Sequence, residues 1–137
     1  MELLLQKLQI PYKKIDDGAT ENTYVITFPS KYSKKNKAAI TLSDSNEFSV
    51  YGNVPIKISS ENQPKLLRAL NQLNLEVPSF VAYIEIDEDD KSEELAFRSV
   101  HQLYGDISRG LVKSIALIKS LEEYIDMYIE KVALALK

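Results

Sequence analysis

A chain of 137 residues, 45% hydrophobic and 27% charged, has the size and balance of one globular domain. It holds no cysteine and one histidine, His101, which excludes disulfides, thiolate nucleophiles, iron–sulfur clusters, cysteine-ligated zinc and any site built on two imidazoles. Basic residues number 17 against 20 acidic ones, a net charge of −3, the wrong sign for a protein whose main work is neutralising phosphates.

The first apolar cluster, Leu3, Leu4, Leu5, Leu8 and Ile10, precedes Pro11. Leu4 and Leu8 share a face at helical spacing, and Pro11 stops the helix by disfavouring α geometry in the residue before it. Tyr12 to Asp16 reads as a short extended piece, and Asp17-Gly18 as a turn. Thr23 to Phe28 is a β-branched and aromatic strand stopped by Pro29. A lysine-rich loop from Pro29 to Asn36 leads to a strand at Ala38 to Leu42. After the turn residues Ser43 to Asn46, Glu47 to Tyr51 alternates as a half-buried strand that Gly52-Asn53 closes. Short connections make these three strands an antiparallel meander.

A helix follows. Ser60 and Gln63 form a capping box, or Asn62 caps with Pro64 in the first turn. Leu66, Leu67, Leu70 and Leu73 give its stripe, and Pro78 ends it. Phe80 to Asp87 is a strand with alternate apolar residues, Asp87 to Ser92 an acidic turn, and Glu94 to Leu103 the returning strand. Gly105 breaks that strand, and Asp106 or Ser108 caps a final helix. The order α-β-β-β-α-β-β-α, without βαβ alternation, predicts a single α+β domain over residues 1–137: an antiparallel sheet of about five strands with helices on one face.

The longest uncharged runs are nine residues, Asn22 to Ser30 and Phe48 to Ile56, well short of the ~20 apolar residues of a membrane-spanning helix. The opening Met1-Glu2-Leu3 lacks the basic segment of a secretory signal, so the expected location is the cytoplasm, with no membrane partner.

Each chemical candidate has a plainer reading beside it. Glu85 to Glu94 carries seven acids and one base, Lys91. A calcium loop beginning at Asp87 would need an acid or Asn, a Gly and a Glu where Lys91, Ser92 and Arg98 stand. A solvated hairpin tip is the expectation. Lys31, Lys34, Lys35 and Lys37 around Tyr32 could contact single-stranded nucleic acid. The acidic total favours instead a soluble loop that guards strand edges. His101 has no partner motif, and the four glycines form no phosphate-cradling loop. No catalytic residue, metal or cofactor is expected.

In the last helix Leu111, Ile115, Ile118, Glu122, Ile125, Ile129, Val132 and Leu136 are spaced 4, 3, 4, 3, 4, 3, 4. Leu117, Leu121, Tyr124 and Tyr128 form a second row. Ile107 to Lys137 would span ~45 Å. The stripe can pack on the sheet as core, on a second subunit, or on both. For a homodimer the candidate interface is Leu111, Ile115, Ile118, Ile125, Ile129 and Val132.

The segment Leu70-Asn71-Gln72-Leu73-Asn74, followed by Pro78, a strand, the acidic Asp87-Glu88-Asp89-Asp90 turn and a returning strand, resembles the YbjN-type bacterial proteins. In the first half of the chain only the order of elements matches. That resemblance implies the fold of type III secretion chaperones, which are small, acidic and commonly dimeric, and it supplies no catalytic residues. The expectation is a non-enzymatic protein-binding module, chaperone-like or regulatory, acting on a protein client as a homodimer. The alternative is a small ligand-binding regulator or enzyme with a site near His101 and the acidic hairpin.

Overall fold

The computed structural model describes residues 2–15, 22–29, 31, 36–43, 45–77, 79–103 and 107–135, with the side chains at 55–57, 60, 107–111 and 135 outside that description. The expected turn at Asp17-Gly18, the stops at Pro78 and Gly105, the caps at Asp106 and Ser108, and Leu136 lie outside it.

Helix α1 (Glu2–Lys7) is followed by strands β1 (Tyr12–Ile15), β2 (Asn22–Phe28), β3 (Asn36–Leu42) and β4 (Glu47–Lys57). A 3-10 turn (Ser60–Asn62) leads into α2 (Gln63–Glu76), then β5 (Val81–Ile86), β6 (Glu93–Gln102) and α3 (Ile107–Ala135). The α+β class is as expected. The sheet has six strands rather than about five, in the order β1-β2-β3-β4-β6-β5, and every neighbouring pair is antiparallel. The added strand is the extended piece after Pro11. It pairs along β2 from Tyr12↔Ile26 to Ile15↔Thr23.

Period-two alternation divides the sheet into two faces. Tyr24, Ile26, Phe28, Ala38, Ile40, Phe48, Val50, Leu95 and Phe97 are buried on one, under α2, α3 and the end of α1. Among the described residues no helix lies over the other face. In α1 the fully buried side chain is Leu5, with Leu4 and Leu8 half-buried on either side. The Tyr12 hydroxyl donates to Glu2 Oε1 (2.9 Å) and accepts from Gln6 Nε2 (3.0 Å), which holds α1 against β1.

Gly52 does not close β4. The strand runs through it to Lys57, because a glycine is what that position needs. A Cβ there would lie 2.6 Å from Phe97 Cζ and 3.2 Å from the Lys37 carbonyl oxygen. The Phe97 ring sits over the bare backbone of Gly52, its partner in register. It meets Phe80 edge-on (centroids 5.7 Å) and Tyr128 (6.3 Å), while Phe80 meets Tyr124 at 4.9 Å. Such offset and edge-on pairs are the preferred aromatic geometries. The β4–β6 register then shifts between Val54 and Lys57, and Pro55 falls in that irregularity, where no ladder donor is required.

The buried positions of α3 are Ser114, Ile118, Leu121, Ile125, Tyr128 and Val132. This stripe combines Ile118, Ile125 and Val132 of the first predicted row with Leu121 and Tyr128 of the second. The charged exception in the first row, Glu122, is exposed. The structure places Asn62 at the N-cap of α2 with Pro64 in the first turn, and the Ser60 side chain lies outside the description. Asn62 precedes the helix without a side-chain cap bond, and the Gln63 amide donates instead to Glu93 Oε2 on β6 (2.5 Å).

Gly52→Ala is expected to cost about 1–3 kcal/mol through overpacking against Phe97, and less in a Phe97→Leu background; urea denaturation of the four variants measures both. The Tyr128 hydroxyl is buried with no hydrogen-bond partner among the described residues. Tyr128→Phe is therefore expected to leave stability unchanged or raise it by up to about 1 kcal/mol, read from the same denaturation curves.

Candidate functional site

The acidic hairpin is a turn built by its own carboxylates. Asp87 Oδ1 accepts from the backbone N–H of Asp89 (2.8 Å) and Asp90 (3.2 Å), and Asp90 Oδ1 accepts from the Ser92 N–H (2.8 Å). The bonds from the Ser92 side chain and backbone hold the Asp90 carboxyl below the ordinary aspartate range. Lys91 takes a left-handed φ of 58° to close the loop. Among the described residues no group of three or more His, Asp or Glu is placed to hold a metal ion.

His101 stands at the other end of β6. Seven residues separate it from Glu94, about 24 Å along an extended strand, so the hairpin and the histidine do not form one site. The His101 ring points to the helix-covered face beside Phe48, its register partner, and its Nε2 lies 2.6 Å from Ser99 Oγ. The buried Ser99 hydroxyl gives its proton to the Ser79 carbonyl oxygen (2.5 Å), so the ring donates to the serine. That is the reverse of the polarity by which a histidine base activates a serine.

The lysine loop is described at Lys31 and from Asn36 onward; Tyr32, Lys34 and Lys35 lie outside. The Lys31 backbone N–H donates to both carboxylate oxygens of Asp126 (2.9 and 3.2 Å), and its ammonium reaches Glu130 (3.1 Å). The loop is tied to the acidic outer side of α3. Lys37 is exposed on the uncovered sheet face.

Of the candidate interface positions on α3, Ile118, Ile125 and Val132 are buried inside this chain. Ile115 and Ile129 are half-buried, and the Leu111 side chain lies outside the description. Three of the six positions named for a partner thus pack on this chain's own core. Its exposed large apolar side chains among the described residues are Val112 near one end and Leu134 near the other.

Two surfaces were not identified from the sequence. The first is the outer edge of β5. Asn74, in the last turn of α2, lays its amide against the Ala82 backbone: Nδ2 donates to the Ala82 carbonyl (3.1 Å) and Oδ1 accepts from the Ala82 N–H (2.8 Å). The side chain thus stands in for one residue of a neighbouring strand. It gives the second Asn of Leu70-Asn71-Gln72-Leu73-Asn74 a structural role. Backbone groups in an antiparallel strand alternate in direction, so Ile84 and Ile86 also face outward. The Ile86 side chain is 58% exposed. The edge is closed at one end and open toward the acidic turn.

The second surface is the uncovered sheet face. Tyr51 and Asn53 on β4 lie beside Arg98 and Ala96 on β6, and these beside Val81 and Tyr83 on β5. The Tyr51 hydroxyl donates to Glu85, and Asn53 Nδ2 donates to Glu94 Oε2 (2.8 Å). Burial, then the bond to Glu85, raises the Tyr51 pKa above that of a free tyrosine. Ala96, between Asn53 and Tyr83, is fully buried although no helix covers it.

No family model and no curated protein sequence matches the chain. Among solved structures it is similar to the crystal structure of YbjN from E. coli, described as a candidate transcription regulator. The TM-score is 0.58 at 16% identity, over 93% of this chain and 84% of that one. The fold is therefore YbjN-like. No helix of the described residues is long and apolar enough to cross a membrane.

Asn74→Ala removes both bonds to a backbone that is otherwise shielded, and is expected to cost about 1–3 kcal/mol. Hydrogen exchange should show the loss first at the Ala82 amide and the adjoining part of β5.

Proposed function

We propose that this chain is a non-enzymatic protein-binding module, chaperone-like or regulatory, which takes an extended segment of a client protein along the outer edge of β5. The observation that carries the reading is the half-closed edge. Asn74 occupies the Ala82 position, while the Ile84 and Ile86 backbone groups face outward and no described residue bonds to them on that side. An extended peptide adds to such an edge by main-chain hydrogen bonds, and side-chain contacts choose the sequence. Asp87, Glu88, Asp89 and Asp90 adjoin the open end, so the preferred segment alternates apolar residues and carries a lysine or arginine beside the turn. Regulation exercised through protein contacts fits this chemistry. So does the net charge of −3, which opposes a phosphate backbone as the main partner.

The test is affinity capture from the native cell extract with wild-type protein and with Ile84→Pro, followed by binding of the captured segments as synthetic peptides. Proline removes the outward N–H at the open edge. The variant is expected to keep its circular dichroism spectrum and lose at least about tenfold in peptide affinity. Equal peptide binding by a folded Ile84→Pro variant would overturn the edge as the site. Failure of any peptide to bind the wild type would overturn the function.

A further inference from the structure

The uncovered sheet face is divided into two unlike halves. On β1, β2 and β3 its described charged residues are Lys13 and Lys37, both basic. On β4, β6 and β5 they are Glu47, Glu85 and Glu94 against one base, Arg98. Among the described side chains one half thus carries two net positive charges and the other two net negative. Shape divides in the same place. On β2 and β3 the uncharged residues of the first half are Thr23, Val25, Thr27, Ala39 and Thr41, with Ala39 at its inner border. The second carries two tyrosines, Tyr83 and Tyr51, the latter the register partner of Ala39 and leaning away toward Glu85.

Glu85 and Glu94 are also direct register partners. Like charges directly opposite each other destabilise a strand pair. Each carboxylate has a neutral donor, Tyr51 or Asn53, and neither forms an ion pair among the described residues. A cation arriving from outside the chain relieves that repulsion.

We infer that the uncovered face stacks on the same face of a second copy of this chain, about a two-fold axis that runs parallel to the strands between β3 and β4. Stacked sheets lie ~10 Å apart, with strand directions within about 30°. This axis sets the basic half of each copy over the acidic half of the other. Ala39 lies beneath the partner's Tyr51. Lys37 and Asn53 each stand one residue beyond the Ala38↔Gly52 pair, so Lys37 comes over the partner's Asn53–Glu94 pair and brings a cation to it. A two-fold axis perpendicular to the strands would lay each strand over its own copy, basic half on basic half and acidic half on acidic half, and charge rejects it. The pairing is closed and isologous, so every contact occurs twice. It leaves α3 on the outside and the β5 edge at the rim, so it is independent of the proposed client site.

Sedimentation equilibrium on the full chain tests the inference, with circular dichroism confirming the fold of each variant. The wild type is expected to be a dimer at tens of micromolar that weakens as salt screens the paired charges. Lys37→Glu is expected to weaken association at least about tenfold, because the altered contact is made twice. Combining it with Glu94→Lys should restore the wild-type constant to within about threefold. Ala39→Arg should give a folded monomer. A monomeric wild type would overturn the inference, as would a dimer unaffected by Lys37→Glu. A reversal that Glu94→Lys does not rescue would overturn the axis.

Discussion

The close seating of the Phe97 ring on the bare backbone of Gly52 is the contact around which the molecule is arranged. The two residues are register partners on adjacent central strands, and a single Cβ at Gly52 would collide with the ring. Gly52 and Phe97 continue a row with Ala38 on one side and Ala82 on the other. Small residues in that row form a trough in the middle of the covered face. Phe80, Tyr124 and Tyr128 fill it from above, which brings α3 down onto the sheet at its aromatic section. A larger residue at the glycine position would lift the ring and the helix with it. Close packing of this kind tolerates little change in volume.

The strands were legible in the sequence wherever burial is one-sided, because alternation at period two reports directly which face is covered. That is why the meander and the acidic hairpin stand where the pattern put them. Local rules failed where a distant residue supplied the reason for a local choice. Gly52 looks like a stop when read with Asn53 alone, and becomes a strand interior only when Phe97 is known to lie on it. Gln63 looks like half of a capping box, yet Glu93 on β6 takes its amide. In α3 the sequence carries the signal in one residue. Glu122 interrupted an otherwise aliphatic row, and shifting alternate positions by one residue, to Leu121 and Tyr128, removes the interruption and gives the buried stripe.

The candidate surfaces were less legible than the fold. His101 and the acidic turn drew attention by residue type, but they occupy opposite ends of one strand, and distance along a strand is invisible to composition. Asn74 was noticed as part of a motif, while its work on the Ala82 backbone depends on how α2 crosses β5. The asymmetry of the uncovered face depends on which strands are neighbours. Lys13 and Lys37 are 24 positions apart in the chain and share one half of the sheet only because β1, β2 and β3 are adjacent. Enzymatic chemistry finds no support in the Ser99–His101 pair, whose hydrogen bonds run in the wrong direction for a base.

The strand order also sets how the chain reaches its native state. Strands β1 to β4 pair in sequence, and β5 with β6 closes across a turn of six residues, Asp87 to Ser92, so both halves assemble from local contacts. The ladder joining them, β4 to β6, pairs Tyr51 with Arg98 and Gly52 with Phe97 across more than forty intervening residues. Non-local closure of this kind must meet its entropic cost before any contact rewards it, and it slows folding. The β4–β6 seam of the finished sheet is thus the junction between two earlier units. Until it forms, the inner edge of β4 stays open, and the half-assembled chain has a reason to be short-lived or attended.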